Sequence, residues 1–573
     1  MMKTPKSVYV AEIKKPYKDR VYTTYLLRHS YREGGKVKQK TLANLSHLPL
    51  EVIELVREAL KGERFVPLHG GFEISRTLAH GHVAAVRTML RNLGLHEILG
   101  PEQRERDLVE AMIIARVVAP QTKLATTRWW HVTTLPEDLG VGDATEDDLY
   151  DAMDWLLERK PEIEHALSRL HIKEGGLILY DVTSSYYEGE RCPLAEFGYN
   201  RDGKKGKRQI VYGIMTNGEG CPVAVEVYRG STADSATVNG QVEKIKERFG
   251  VKRVVLAGDR GMLISARIDA LKETGDIDWV SALTTRDIKG LVKGRYLQIS
   301  LFDESDLFEI SSPDFPGERL IACKNPFLAE ERCRKREDLL KATEKRLDAL
   351  ARRVSSGRLR RKEKIGQALG RIENRYKVAK HFEFEIREGH FAYRRNEDSI
   401  RQEACLDGIY VIRTSVPKDE WSPEESVLGY KSLKHAEQAF RNLKSVLEVR
   451  PIHHRLKERV SAHIFLCLLA YYVEYHLRRA WGPLLFDDEE PGKHVDGSPV
   501  KPALRSPSAK KKAERRQRED GTVIHSFATL MADLGTVARN TVRIPSLPDV
   551  PAFTVTTTPT PLQKEAFQRV GMK

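Results

Sequence analysis

Short runs of apolar residues alternate with polar turns in the middle of the chain, and this pattern predicts β-strands. The predicted strands are Leu177–Asp181, Gln209–Thr216, Pro222–Tyr228 and Arg253–Gly258. Asn217-Gly218 separates the second strand from the third and is a strong signal for a hairpin turn. Residues 236–249 have the spacing of a helix, which we expect to end at Gly250. The predicted order is therefore three strands, a helix and a fourth strand.

This β-β-β-α-β order, with an acid at the first and fourth strands, is the ribonuclease-H-like layout. The predicted fold class is therefore α/β, with a mixed sheet and helices. A further helix begins near Ser422 and carries Glu437, and an apolar helix over 459–479 is expected to pack against the sheet. Between these parts, residues 286–405 combine short strands with long charged helices, and we interpret them as an insertion in the catalytic fold.

The regions outside this core have different patterns. Residues 7–31 alternate as exposed strands do, and Leu50–Leu60 has the spacing of a helix closed by Gly62. Residues 484–520 are acidic, then rich in Gly, Pro and Ser, then basic, which predicts a disordered linker. The predicted domains are a basic β/α module (1–65), a helical region (66–170), the catalytic core (171–285 and 406–480), an insertion with a basic helical arm (286–405), and a linker with a C-terminal tail (481–573).

The helix that holds Glu437 has two distinct faces. At 3.6 residues per turn, one face carries Tyr430, Lys434, Glu437, Arg441 and Lys444. That face offers an aromatic ring, an acid and several cations. The neighbouring stripe is apolar and is expected to bury against the sheet; it consists of Ala436, Phe440, Leu443 and Leu447.

The net charge of +14 is concentrated in three blocks. Residues 1–50, 331–380 and 501–518 have local net charges of +8, +11 and +7, so the rest of the chain is acidic. A single charge run is commonly a solvated face, but three separate blocks favour several contacts along a polyanion such as DNA.

Two classes of protein fit the sequence poorly. The longest strongly apolar stretch, Ile464–Val473, is shorter than the roughly 20 residues of a membrane span, and no hydrophobic signal core follows Met1. The six cysteines form no pair with zinc-finger spacing. We therefore expect a soluble, cytoplasmic protein with reduced thiols and no membrane partner.

Asp181, Asp259 and Glu437 are the candidate catalytic residues. Taken singly, each aspartate is a common turn residue, and Glu437 is a helix-surface acid that can pair with Arg441. Their positions in one fold and in one order favour a shared metal site. Magnesium prefers oxygen ligands, and two such ions can activate a nucleophile and stabilise a leaving oxygen. The expected cofactor is Mg²⁺, with Mn²⁺ as the alternative.

Other residues are candidates for contacts with DNA. Tyr430 can stack on a base, and Lys434, Arg441 and Lys444 can bind phosphates. A basic loop after the first strand is a further candidate, with solvation as the equal alternative; it contains Lys204, Lys205, Lys207 and Arg208. The run His453-His454-Arg455 is a weaker candidate for a phosphate contact.

Three motifs resemble those of the bacterial insertion-sequence transposases of the DDE class. They are Tyr180-Asp181-Val182-Thr183, Asp259-Arg260-Gly261-Met262, and Tyr430-x2-Leu433-x3-Glu437-x6-Lys444. The last motif is similar to the Tyr-Arg-Glu-Lys signature of one group in that class. Leu433 stands at the arginine position, which puts one phosphate contact in doubt but leaves the metal site unaffected.

The resemblance implies a transposase that binds the terminal inverted repeats of its own element. It implies cleavage at each end and attack of the freed 3′-hydroxyls on target DNA, with metal at the three acids. It also implies a homodimer on paired double-stranded DNA ends, no small-molecule substrate, and association with the nucleoid.

Two other functions stay open. The first is a related nuclease that cuts DNA without joining it, and the second is a catalytically inactive DNA-binding regulator. The region that recognises the DNA ends is also open, since residues 1–65 and 76–170 are both candidates. The arm at 328–380 can bind DNA or form a dimer contact.

Overall fold

The computed structural model describes residues 8–18, 20–67, 69–251, 253–490 and 492–572. The chain forms two compact units. The smaller unit contains residues 1–77 and 539–557, and the larger contains 78–538 and 558–573.

The strands are numbered in chain order. They are β1 Val8–Tyr17, β2 Arg20–Glu33, β3 Lys36–Asn44, β4 Glu73–Ala79, β5 Leu177–Tyr186, β6 Gln209–Asn217, β7 Pro222–Tyr228, β8 Val254–Ala257, β9 Ile277–Ala282, β10 Leu307–Ile310, β11 Arg319–Lys324, β12 Phe382–Arg387, β13 His390–Arg395, β14 Ile409–Thr414, β15 Ala538–Arg543 and β16 Phe553–Thr556.

The α-helices are numbered in the same way. They are α1 Leu50–Lys61, α2 Gly81–Asn92, α3 Leu95–Leu99, α4 Arg104–Val118, α5 Lys123–Trp129, α6 Leu135–Leu139, α7 Glu146–Glu158, α8 Lys160–His171, α9 Val238–Glu243, α10 Ser265–Thr274, α11 Thr285–Lys293, α12 Pro326–Ser355, α13 Lys362–Tyr376, α14 Glu397–Ala404, α15 Pro423–Lys431, α16 Leu433–Ser445, α17 Lys457–Trp481, α18 Pro507–Arg515, α19 Phe527–Gly535 and α20 Pro561–Arg569.

The smaller unit contains two three-stranded sheets. The first has the order β1-β2-β3 with antiparallel pairs, and α1 follows it. The second has the order β16-β15-β4. Gly62 ends α1 with a φ of 106°, a left-handed conformation that glycine adopts without strain. The strands predicted over 7–31 are β1 and β2 within the described residues, which exclude residues 7 and 19, and the helix predicted over 50–60 is α1.

The larger unit is built on an eight-stranded sheet of order β10-β11-β14-β9-β8-β5-β6-β7. The β5–β6 and β6–β7 pairs are antiparallel, whereas β5–β8 and β8–β9 are parallel. The helix α9 lies between β7 and β8 in the chain. The five strands β7-β6-β5-β8-β9 therefore have the ribonuclease-H-like order, and the predicted α/β fold class is confirmed.

The segment interpreted as an insertion differs in its extent from the prediction. We expected it to begin at residue 286, but β10 and β11 join the main sheet through β14. The separate body begins with α12 and contains α13, α14 and the β12–β13 hairpin. It has its own apolar cluster, which includes Leu340, Leu347, Ile365 and Leu369. Residues of β11 and β14 are buried in one apolar cluster, which includes Leu320, Ala322, Ile409 and Val411.

The predicted apolar helix is α17, which is buried along most of its length. By length and composition the segment Lys457–Leu484 could cross a membrane, but 83% of its most apolar window is buried inside the fold. It contacts α4, α7 and β7. This burial is typical of a helix in the core of a soluble protein.

The structure does not support the predicted disordered linker over 484–520. Leu484, Leu485 and Val500 are buried, and α18 begins at Pro507 with Ser506 as its N-cap. The indole Nε1 of Trp481 donates to the carbonyl of Ala566 (2.9 Å). The apolar residues are too widely spaced among Gly, Pro and charges to produce a periodic signal, although they pack onto the core.

Candidate catalytic site

The two predicted aspartates lie on neighbouring parallel strands. Leu179 of β5 pairs with Ala257 of β8. Asp181 and Asp259 each lie two residues beyond that pair, so the parallel register makes them neighbours. We expected the first strand to end at Asp181, but β5 continues to Tyr186 because β6 pairs with it throughout.

The third predicted acid, Glu437, is exposed on α16 and completes one cavity of about 290 Å³ with the two aspartates. The helix contacts β5, the strand that carries Asp181. The three predicted acids, which are far apart in the sequence, therefore line the same cavity. The other charged residues that line it are Arg201 and Asp234.

The electrostatics of this cavity disfavour three unneutralised carboxylates. Burial, together with the charges of Asp259 and Glu437, raises the pKa of Asp181 to about 7. The Val182 N–H opposes this shift by donating to Asp181 Oδ1 (2.8 Å). A set of oxygen donors with such mutual repulsion fits a hard divalent cation, which would neutralise it.

Tyr430 lies beside this cavity but on a different helix from Glu437. Its hydroxyl donates to Asp259 Oδ1 (3.3 Å), and burial followed by the charge of Asp259 raises the pKa of Tyr430. The prediction of one continuous helix is wrong, since α15 and α16 are interrupted at Ser432. The Ser432 hydroxyl bonds the carbonyl of Leu428 (2.9 Å), and such back-bonding disturbs a helix.

The packing of α16 agrees with its predicted apolar stripe. Ala436, Phe440, Leu443 and Leu447 are all buried. The ring of Phe440 meets Tyr212 of β6 edge to face, with centroids 5.9 Å apart. This packing fixes the face of α16 that presents Glu437 to the cavity. The start of α15 is also as predicted, because Ser422 and Glu425 form a capping box.

The Lys444 side chain is largely buried and forms hydrogen bonds with other residues of the protein. Its Nζ donates to Thr183 Oγ1 (2.9 Å), the Ser184 carbonyl (2.6 Å) and Asp202 Oδ1 (3.0 Å). Burial lowers the pKa of Lys444, and Asp202 opposes that effect. Arg450 bonds the same Asp202 oxygen. Lys444 therefore ties α16 to the strand that carries Asp181.

The other predicted DNA contacts on α16 and in the basic loop are exposed on the surface. Lys434 and Arg441 lie on α16 on either side of Glu437. In the basic loop, Lys207 pairs with Glu188 (2.6 Å), and Arg208 donates to the carbonyl of Glu190 (3.0 Å). The Lys204 ammonium lies over the ring of Tyr186 (5.5 Å), and Lys205 is exposed.

Sequence reasoning missed three residues of this site. Arg201 lines the cavity, binds both oxygens of Asp234 at 2.6 Å, and supplies a cation beside the acids. Asp202 holds Lys444 and Arg450. Arg201 and Asp202 lie in the sequence Asn200-Arg201-Asp202-Gly203, which has only the signal of a turn. No local pattern identifies their partners.

Comparisons with known proteins add family information. The family model described as "Transposase DDE domain" matches residues 173–473, more than half of the chain. The model "IS1634 family transposase, N-terminal domain" matches residues 10–67. A comparison with curated proteins finds no match. The chain is also similar, at 10% identity, to the cryo-EM structure of a piggyBac transposase synaptic complex with hairpin DNA. That alignment covers 79% of this chain and 76% of that one, and its TM-score of 0.32 is too low to carry an argument.

Proposed function

This chain belongs to the DDE transposases of insertion sequences, and from that premise we propose that it excises and inserts its own element. It would bind the terminal inverted repeats, cleave the phosphodiester at each end and join the 3′-hydroxyls to target DNA. The observation that carries this proposal is the single cavity lined by Asp181, Asp259 and Glu437 within the matched domain.

In this proposal, Asp181, Asp259 and Glu437 are the catalytic metal ligands. The ion is Mg²⁺, with Mn²⁺ as the alternative, because carboxylates are hard oxygen donors. When bound, the metal supplies the charge that activates a water or 3′-hydroxyl and stabilises the leaving oxygen. Tyr430 holds the carboxylate of Asp259 in place through its hydroxyl. Lys444 positions β5 through its bonds to Thr183 and Ser184.

DNA would follow the exposed cations around the cavity. Lys434 and Arg441 lie three residues before and four residues after Glu437, so they share its face of the helix. Phosphates bound there would bring the scissile bond to the acids. The basic loop, with Lys204, Lys205, Lys207 and Arg208, is proposed as a further DNA contact.

The assembly proposed is a homodimer on two paired element ends. Residues 1–65 and the helical region over 66–170 are the proposed end-binding parts, and the match to a transposase N-terminal domain supports the first of them. The cell compartment proposed is the cytoplasm, on the nucleoid, where the DNA substrate is found.

The first test uses DNA from the two sides of the coding region, where short inverted repeats are expected. Duplexes that end in these repeats are incubated with the protein, Mg²⁺ and a target plasmid. We expect nicked ends followed by joined products. Cleavage without joined product would reject the transposase in favour of the nuclease. Binding with neither cleavage nor joining would favour the inactive regulator.

The second test replaces Asp181 by asparagine, which has the same shape without the charge. We expect cleavage to fall on the order of 10²–10³-fold or more, as when an electrostatic contact to the transition state is lost. End binding should stay within about twofold, since binding energy comes mainly from phosphate contacts. The unfolding temperature should be unchanged or higher, because one of three repelling carboxylates is neutralised.

The control for Asp181→Asn is Asp314→Asn, at an exposed site away from the cavity lining. It should cleave DNA as the wild type does. Undiminished cleavage by Asp181→Asn would reject the metal assignment.

A further inference from the structure

A second cavity of the larger unit, of about 660 Å³, has five Lys and Arg side chains in its lining. It lies between the helical region and the segment that joins α16 to α17. The basic side chains come from separate elements, and the lining contains one carboxylate, Glu448. The cationic lining residues are Arg116 of α4, Lys123 of α5, Arg450 and Arg455 of the joining segment, and Arg459 of α17.

Two of these cations are buried and have no negative partner among the described residues. Arg116 is 6% exposed and Lys123 is 5% exposed. Arg116 donates to the carbonyl of Gln121 (3.1 Å), and neither side chain forms an ion pair with any residue that the structure describes. A buried charge without a counter-charge is strongly unfavourable. The described residues therefore supply no counter-charge for these two buried cations.

Burial and the nearby positive charges lower the pKa values of groups in this cavity. Burial, and then the charge of Arg116, lowers the pKa of Lys123 to about 7. Burial, followed by Lys123 and Arg116, lowers the pKa of His454 to about 3. His463 is 6% exposed and donates through Nε2 to the carbonyl of Val449 (3.1 Å). Neutral histidines beside unpaired cations leave the cavity suited to an anion.

The other cations connect the cavity to its surroundings. Arg459 reaches Asp154 (3.4 Å) and lies over the ring of Tyr150 (4.6 Å). Arg450 bonds Asp202, which also holds Lys444, and Lys444 bonds Thr183 two residues from Asp181. The cavity is thus joined to the catalytic strand by a chain of direct contacts.

We propose that this cavity binds a phosphate of the DNA backbone next to the catalytic site. The inference rests on the proposed function, because DNA is the polyanion that the catalytic cavity would process. Exposed Arg455 and His453 at the rim leave the cavity open to a strand that continues along the surface. The bound phosphate supplies the negative charge that Arg116 and Lys123 lack.

The test replaces Lys123 by methionine, which keeps the length of the side chain and removes its charge. Binding to a duplex bearing the terminal repeat is measured in EDTA, so that no cleavage occurs, over a range of salt concentrations. We expect affinity to fall by on the order of tenfold. The slope of log affinity against log salt should fall by about 1, as for one lost phosphate contact. The unfolding temperature should rise, since an unpaired buried charge is removed.

Lys564→Met is the matched control, because Lys564 is exposed on α20 and forms no ion pair among the described residues. It should leave the affinity and the salt slope unchanged. Arg455→Gln at the exposed rim is a second variant that cannot disturb the core, and it should also reduce the slope by about 1. A wild-type slope in both Lys123→Met and Arg455→Gln would overturn the proposal.

Sodium sulfate distinguishes a DNA site from a site for small anions. At constant ionic strength, sulfate should raise the unfolding temperature of the wild type more than that of Lys123→Met. If it does so while the DNA salt slope of the variant is unchanged, a small anion is the occupant and the DNA proposal is rejected. A wild type that binds DNA but never cuts it would reject the proposed function alone, because the binding comparison needs no catalysis.

Discussion

At the scale of single residues, Asp202 connects several elements around the candidate site, although it was not among the residues predicted from the sequence. Its side chain is 2% exposed and accepts hydrogen bonds from Lys444 and Arg450 through one oxygen. The other oxygen accepts the N–H of Tyr186 (2.9 Å). These bonds connect α16, the following segment and β5. A buried carboxylate with such partners fixes the geometry around β5, the strand that carries Asp181.

We predict that Asp202→Ala lowers the free energy of unfolding by about 3–5 kcal/mol, because it leaves Lys444 and Arg450 without their counter-charge. Chemical denaturation of the full chain measures the effect. The matched control is Asp496→Ala, whose side chain is 73% exposed and pairs with Lys501, so it should change stability little. Equal effects of the two variants would contradict a special role for Asp202.

At the scale of elements, the helical arm formed by α12 and α13 packs around its own core. Leu347, Leu350, Ile365 and Leu369 are buried within it. Arg395 of β13 joins the hairpin to α12 through ion pairs with Glu337 and Glu344. Most of the basic residues of the arm are exposed, so the basic block over residues 331–380 lies on the surface of a folded segment. The arm is therefore ordered by its own apolar contacts.

We predict that Leu347→Ala destabilises the arm by about 2–5 kcal/mol, since it opens a cavity at a fully buried site. Hydrogen exchange should become faster in α12, α13 and the β12–β13 hairpin but stay unchanged in β5 and β8. The control is Phe327→Ala, at a 48% exposed position of α12, which should have little effect. Faster exchange in β5 and β8 would show that the arm and the sheet unfold together.

At the scale of the whole molecule, the C-terminal segments 481–538 and 558–572 belong to the larger unit and contribute to its core. Leu484, Leu530, Leu534 and Phe567 are part of the same buried cluster as α17 and the sheet. The hydrogen bond from Trp481 to Ala566 supports this packing. Residues that looked like a tail in the sequence therefore help to hold the scaffold that positions the acids.

We predict that Leu534→Asp costs more than about 4 kcal/mol of stability, because it places an unpaired carboxylate in a fully buried site. Loss of near-ultraviolet circular dichroism, and of exchange protection in α17, measures the effect. Leu504→Asp is the control, since Leu504 is 47% exposed. An intact fold in Leu534→Asp would contradict a contribution of this region to the core.

The sequence by itself determined the local elements and their order. Strand periodicity placed β5 to β8, and the capping signal at Ser422 placed the start of α15. The acids at the first and fourth predicted strands were identifiable from the β-β-β-α-β order, and the parallel pairing of β5 with β8 in the structure explains why they are neighbours. The apolar stripe of α16 predicted which of its faces is buried. Such features depend on backbone periodicity, which a few neighbouring residues encode.

Only the tertiary structure decided which distant groups meet. Lys444 finds Asp202 across 242 positions, and a helix-face pattern that suggested a DNA contact could not reveal this partner. The interruption at Ser432 and the burial of Leu484 and Leu534 were also hidden from the sequence. The physical reason is that a side chain's partner is set by packing of the whole chain, whereas periodicity reports only which face is apolar.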